Sequence, residues 1–274
     1  MAQKDKSTEV STIDPNLPSY LQTGDYAPQQ DNFDSSDVVI PQVKLLQATS
    51  GEVTQYEEAK TGDFWHTGMD MSLGAEFEFV VISRRKKYLL VAPMDDGQGV
   101  LARAEDAKTW DRTGKWDVKV DKKTTATWEI TDLDVEKSGL TNWGTYDPDD
   151  VNSPPAATLF YEYLILLPDH PDLGAAVLSL ARSAIRPAKK GLNDKIGMHQ
   201  GAGRPMQAIK FRAKSTGEKN DSGQDYRGWQ FTGAGFADET LFKQAYELSK
   251  VLTDYAVKDE GVVDDRKKAD SDDF

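Results

Sequence analysis

The 274-residue chain has no cysteine, which excludes disulfides, thiolate nucleophiles and thiolate zinc sites. Its three histidines, His66, His170 and His199, are scattered without ligand spacing, so structural zinc is not expected. No run approaches the roughly 18 apolar residues of a membrane span, and the opening MAQKDKSTEV lacks the apolar core of a signal peptide. A cytoplasmic chain with no membrane partner is the expectation. Walker A, dinucleotide-fingerprint and Gly-x-Ser-x-Gly sequences are also missing, and GAGRP at 201–205 stands outside any strand-to-helix context, so it reads as a turn.

Acid is in excess, with a net charge of -13 that argues at first sight against a nucleic-acid partner. The distribution changes that reading. Residues 1–36 hold two lysines against six acids with few large apolar groups, and residues 258–274 hold four basic residues against seven acidic ones. Both segments have a disordered composition, which leaves one domain over 37–257. Between Leu173 and Phe231, eleven Lys or Arg face four acids, a local net of +7.

Strand patterns dominate this domain: alternation over 76–83 and 125–131, a further run at 87–92, and the most hydrophobic stretch of all at 157–167, which suits a central strand. Met206–Lys214 places Ile209 and Phe211 on one face and Lys210, Arg212 and Lys214 on the other. The turn-rich 215–223 then leads to a partner strand carrying Tyr226, Arg227 and Trp229. The clearest helix runs over about 238–256, with Leu241, Phe242, Ala245, Leu248, Val251, Leu252 and Tyr255 at helical spacing. A shorter helix opening at Pro187 exposes its lysines, although Gly191 weakens it. The stretch 95–123 is too polar and irregular to assign. The fold class is mainly β, a β-rich α+β domain with a C-terminal helix.

Single strands are bound by a positive groove with aromatic rings on which bases stack. Lys210, Arg212 and Lys214 with Tyr226, Arg227 and Trp229 supply one such combination, and Arg84, Arg85, Lys86, Lys87 and Tyr88 a second. Arg186, Lys189 and Lys190 add exposed charge. Trp229 and Phe231 share a face and serve equally as core or platform, while 84–88 also reads as an exposed turn between strands. Trp65, Trp110, Trp116, Trp128 and Trp143 read as packing residues. The carboxylates Asp95 and Asp96, and Asp147, Asp149 and Asp150, are of the type that holds magnesium in a nuclease, but among 46 acids they read first as solvated loops. No catalytic residue and no cofactor is expected.

The chain closes on Asp270, Ser271, Asp272, Asp273 and Phe274, an acidic end with a terminal aromatic that fits an apolar pocket rimmed by basic groups. This tail resembles that of the single-stranded DNA-binding proteins of bacteria and podoviruses, whose OB-fold cores precede a flexible acidic tail ending in Phe. Independently, VVIPQVKLLQATSGEV (38–53) and KTGDFW (60–65) resemble the opening of a family of phage proteins of this length. Within it, Ile40, Val43, Leu45 and Leu46 read as core anchors. The resemblance implies an elaborated OB-like barrel, since about 220 residues exceed one five-stranded barrel. It further implies sequence-independent coating of single-stranded DNA in phage replication or recombination, in the bacterial host cytoplasm. Asp270, Asp272, Asp273 and Phe274 would recruit replication or recombination proteins, and self-association is compatible with this role. A virion structural or decoration protein and a metal-dependent nuclease are the alternatives.

Overall fold

The computed structural model describes residues 39–93, 96–121, 123–219, 223–252 and 256–257. The arm expected over 1–36 and the tail over 258–274, with Asp270, Asp272, Asp273 and Phe274, lie outside the described residues, as does Asp95.

In chain order the elements are β1 (Val39–Ile40), β2 (Val43–Leu45), the helical turn α1 (Gly51–Gln55), β3 (Phe64–His66), β4 (Met71–Gly74) and the long β5 (Glu76–Val91). They continue through β6 (Val100–Ala104), β7 (Gly114–Lys119), β8 (Thr125–Ile130), β9 (Ala157–Leu166) and β10 (Ala175–Ala181). A helical segment follows, made of α2 (Ile185–Ala188), a π-helical turn (Lys189–Asn193) and α3 (Asp194–Gly201). The hairpin β11 (Ile209–Lys219) and β12 (Asp225–Phe236), then α4 (Glu239–Val251) and β13 (Ala256–Val257), complete the order.

The main sheet runs β10-β9-β5-β11-β12, antiparallel throughout, with β6 added along the second half of β5. Its central strands carry the long apolar runs, because a strand paired on both sides and covered on both faces sees no water. β9 is such a strand, as its sequence suggests. The smaller sheet β2-β3-β4 touches both ends of the large one: Gln42 bridges Val177 of β10, and the Gln47 side chain both accepts from the Arg227 amide (2.9 Å) and donates to its carbonyl (3.0 Å) on β12. Among the described residues no ladder joins β10 to β12.

The principal core lies between these sheets. Val43, Phe64, Phe79, Tyr163, Leu178, Phe211 and Phe231 meet there, and Ala188, Leu192 and Ile196, spaced four apart on one helical face, pack in with them. On the other side of β5 and β9, Val80, Ile82, Leu164 and Leu166 are covered by Ala245, Leu241 and Leu248 of α4. Asp238 caps that helix by accepting from the Leu241 amide at 2.9 Å, as N-terminal acids do. A further core gathers under β6, β7 and β8 around Trp110, Trp128 and Tyr146. The segment 95–123 therefore contributes two strands, β6 and β7, whose short alternation is interrupted by polar turns. The mainly β class with a C-terminal helix is as the sequence suggests, and Ile40, Val43, Leu45 and Leu46 are buried.

Several expectations are corrected. Residues 84–88 are not a turn: β5 runs unbroken through them. Residues 215–219 continue β11 instead of forming a loop, because the turn formers there find cross-strand partners in 225–229. Trp65, Trp110 and Trp128 are buried, but Trp143 is 72% exposed.

His66 on β3 is buried, and neither ring nitrogen has a hydrogen-bond partner. Burial holds its pKa below the usual 6.5, with the charge of His170 acting the same way. Below about pH 6.5 the unfolded chain therefore binds a proton that the folded chain refuses, and stability falls as pH drops toward the depressed folded value. Urea midpoints measured from about pH 7 to about pH 5 should decline in the wild type and decline less steeply in His66→Leu.

Candidate nucleic-acid groove

The second half of β5 is built by a change of parity. Opposite β9 the register shifts between Val81 and Ser83, leaving Ile82 as the extra residue of a bulge. Before it, the face that meets the principal core carries Phe77, Phe79 and Val81, which are odd-numbered. After it, Arg84 stands opposite Tyr163, Lys86 opposite Tyr161 and Tyr88 opposite Leu159, so even-numbered residues take over that face. Cross-strand neighbours on one face lie close enough to interact, and these six side chains floor an open groove.

The groove encloses about 770 Å³. One wall is the loop after β6, with Glu105, Asp106, Ala107 and Lys108, joined by Glu136. The other is Asn193, from the π-helical turn. Arg84 donates to Asn193 Oδ1 (2.7 Å) and to Gln200 Oε1 (3.3 Å), and Tyr163 donates to the same Asn193 oxygen at 3.1 Å. Lys86 Nζ lies 5.4 Å from the centroid of the Tyr161 ring. Burial pushes the phenols of Tyr163 and Tyr88 above their ordinary pKa, so both remain neutral donors.

Charge compensation separates the basic residues into two kinds. Among the described residues, Arg84, Lys86 and Lys108 have no carboxylate at ion-pair distance, and neither do Arg186, Lys189 and Lys190 on the helical segment leading to Asn193. The acids on the wall are partly engaged. Glu105 meets Arg85 at 3.2 Å, and Asp106 accepts from the Lys108 and Thr109 amides at 2.7 Å each, which lowers its pKa.

On the opposite parity of β5 the cations are paired, Lys87 buried and Arg85 half-buried at the edge of the groove. Arg85 Nε meets Glu162 Oε2 at 2.7 Å and Lys87 Nζ meets Glu162 Oε1 at 2.8 Å, with Lys87 and Glu162 both buried. Lys87 is thus a core ion-pair residue, not a surface contact. This corrects its expected place in a DNA-facing cluster.

The β11-β12 hairpin is placed elsewhere. Lys210, Arg212 and Lys214 face outward as the alternation implies, but Lys210 (2.6 Å) and Arg212 (2.7 Å) both bind Glu78 of β5, and Lys214 stands 3.9 Å from Glu76. The two cations hold the Glu78 carboxyl below the usual range. Lys210 lies opposite Val80, on the α4 side of the sheet, whereas the groove opens on the other side. Tyr226 shares this outer face and donates to Glu218 at 2.6 Å. Trp229 points inward against Phe64 (4.9 Å) and Phe231 (5.5 Å), a packing role. Arg227 is exposed, with its side chain against Gly62. The two basic clusters do not merge into one site.

Sequence reading missed Tyr161, Tyr163, Lys108 and Asn193. The tyrosines alternate within YEY, a signal hidden by the hydrophobicity of their run, and their facing partners depend on a bulge that no residue type marks. Asp147 and Asp150 serve local turns, accepting from the Asp149 and Asn152 amides, and no cluster of three or more potential metal ligands occurs among the described residues. No described helix is long and apolar enough to cross a membrane.

Comparison with curated proteins and with solved structures found no match. The family model described as "Pam3 phage gp34-like protein" matches residues 6–258, nearly the whole chain and ending short of the acidic tail. The chain belongs to the Pam3 phage gp34-like family.

Proposed function

We propose that the protein binds single-stranded DNA without sequence preference during phage DNA replication or recombination, in the cytoplasm of the bacterial host, as a binding protein needing no cofactor. The observation that carries this reading is the open groove in which Arg84, Lys86 and Lys108, without carboxylate partners among the described residues, stand around the half-buried ring of Tyr88, over a floor of the buried Tyr161 and Tyr163. Sequence-tolerant binding uses a ring for stacking and uncompensated cations for phosphate, and this surface offers Tyr88 for the first and Arg84, Lys86 and Lys108 for the second. The acidic tail, by its charge and terminal Phe, suits the recruitment of replication or recombination proteins.

Fluorescence anisotropy of labelled oligothymidylate and of the matching duplex, at low and physiological salt without magnesium, tests the reading. Tight single-strand preference is expected, with log affinity falling by about 0.7 per neutralised phosphate against log salt. Tyr88→Ala should lose about 1 to 2 kcal/mol of binding, while Arg212→Ala, already paired with Glu78, should lose less than about 0.5 kcal/mol. Absence of binding at low salt would sink the proposal.

A virion structural role is the second reading, favoured by Trp143 and Val151, which are 72% and 81% exposed. Large exposed apolar side chains mark protein contacts. Assembly that persists without DNA and is lost in Trp143→Ser would favour it.

A further inference from the structure

Beyond the far wall of the groove lies a second basic and aromatic patch. Arg84, on the groove floor, reaches both Asn193, just before α3, and Gln200 near its end, so one face of α3 stands beside Arg84. Beside Gln200, His199 meets the ring of Phe236 edge-to-face at 5.6 Å. The Arg204 guanidinium lies 5.8 Å from the centroid of the same ring, and its backbone amide is fixed by the His199 carbonyl at 2.9 Å.

Phe236 ends β12 and is 58% exposed. Its position is set by an irregularity: Phe211 faces Gly233, but Ile209 faces Phe236, so β12 carries one residue more than β11 over that interval. Gly235 takes up the surplus at φ +96°, in the left-handed region that glycine alone enters freely. Bulges re-aim side chains, and this one delivers an aromatic ring to the rim of α3. Lys195 lies over Gly233 nearby. Among the described residues neither Arg204 nor Lys195 has a carboxylate at ion-pair distance, in contrast to the neutralised Lys210 and Arg212.

We infer that Phe236 is a second stacking platform for the same single strand, with Arg204 and Lys195 as its phosphate contacts. The strand runs from the tyrosine groove across α3 to the end of β12. This rests on the single-stranded DNA reading above and extends it to a path.

The test is anisotropy titration of the full chain with oligothymidylates of about 4 to about 16 nucleotides. Phe236→Ala should bind the shortest strands as the wild type does and lose about tenfold on the longest, the loss of about one stacked base. Phe236→Trp should retain long-strand affinity, and Arg204→Ala should lower the long-strand salt slope by about 0.7. Wild-type affinity of Phe236→Ala at every length, or an equal loss at every length, would overturn the second platform while leaving the groove standing. Failure of the wild type to bind any strand at low salt overturns both.

Discussion

Glu162→Ala is expected to lower stability by about 3 to 5 kcal/mol, because it removes a buried carboxylate that meets the buried Lys87 ammonium at 2.8 Å. Removing one member of a buried ion pair costs far more than the intact pair contributes. Arg85 suffers less, since Glu105 remains 3.2 Å away and the guanidinium is partly solvated. The double variant Lys87→Met with Glu162→Leu should recover most of the loss, as apolar replacements of buried pairs often do. Urea denaturation of Lys87→Met, Glu162→Leu and the double variant reads the coupling directly. A loss below about 1 kcal/mol in Glu162→Ala would show that water reaches the pair.

Gly191→Ala should cost about 3 kcal/mol, at the upper end of overpacking. The π-helical turn approaches β12 so closely that a Cβ on residue 191 would stand 2.5 Å from the Phe231 Cβ and 2.6 Å from its carbonyl oxygen. The obstacle includes backbone, so the helical segment itself must move. Asn193, two residues on, holds both Arg84 and Tyr163, and its displacement loosens the groove wall. Thermal unfolding and oligothymidylate affinity should therefore both decline in this variant. Loss of stability with DNA affinity intact would uncouple the wall from binding.

These two residues also show where sequence reading stops. Glycine at 191 argues against a helix on propensity, at about 1 kcal/mol, yet the helix forms because close packing on Phe231 needs that absent side chain. In RRKK, a run of charge suggests solvent, yet alternate members are paired because Glu162 waits on the neighbouring strand. That partner is 75 residues away from Lys87, a separation no local pattern spans. What was legible was local: the alternation of β8, the apolar run of β9, the stripe of α4, and the outward cations of β11. Their pairing with Glu76 and Glu78, which takes the hairpin out of the leading position as an anion site, comes only from the order of strands in the sheet.

The extra residue at Ile82 makes the chemistry of this surface a matter of phase. If the same residues paired with β9 without that bulge, Arg85 and Lys87 would stand opposite Tyr161 and Leu159, toward the groove, and Arg84 and Lys86 would turn to the Glu162 side. Composition, charge and length would not change, but the two cations now displayed would become the two now sequestered. A relative of equal length that pairs here without a bulge should therefore not be assumed to share the site, whereas one lacking a single residue at this point would keep Arg84 opposite Tyr163 on a regular ladder.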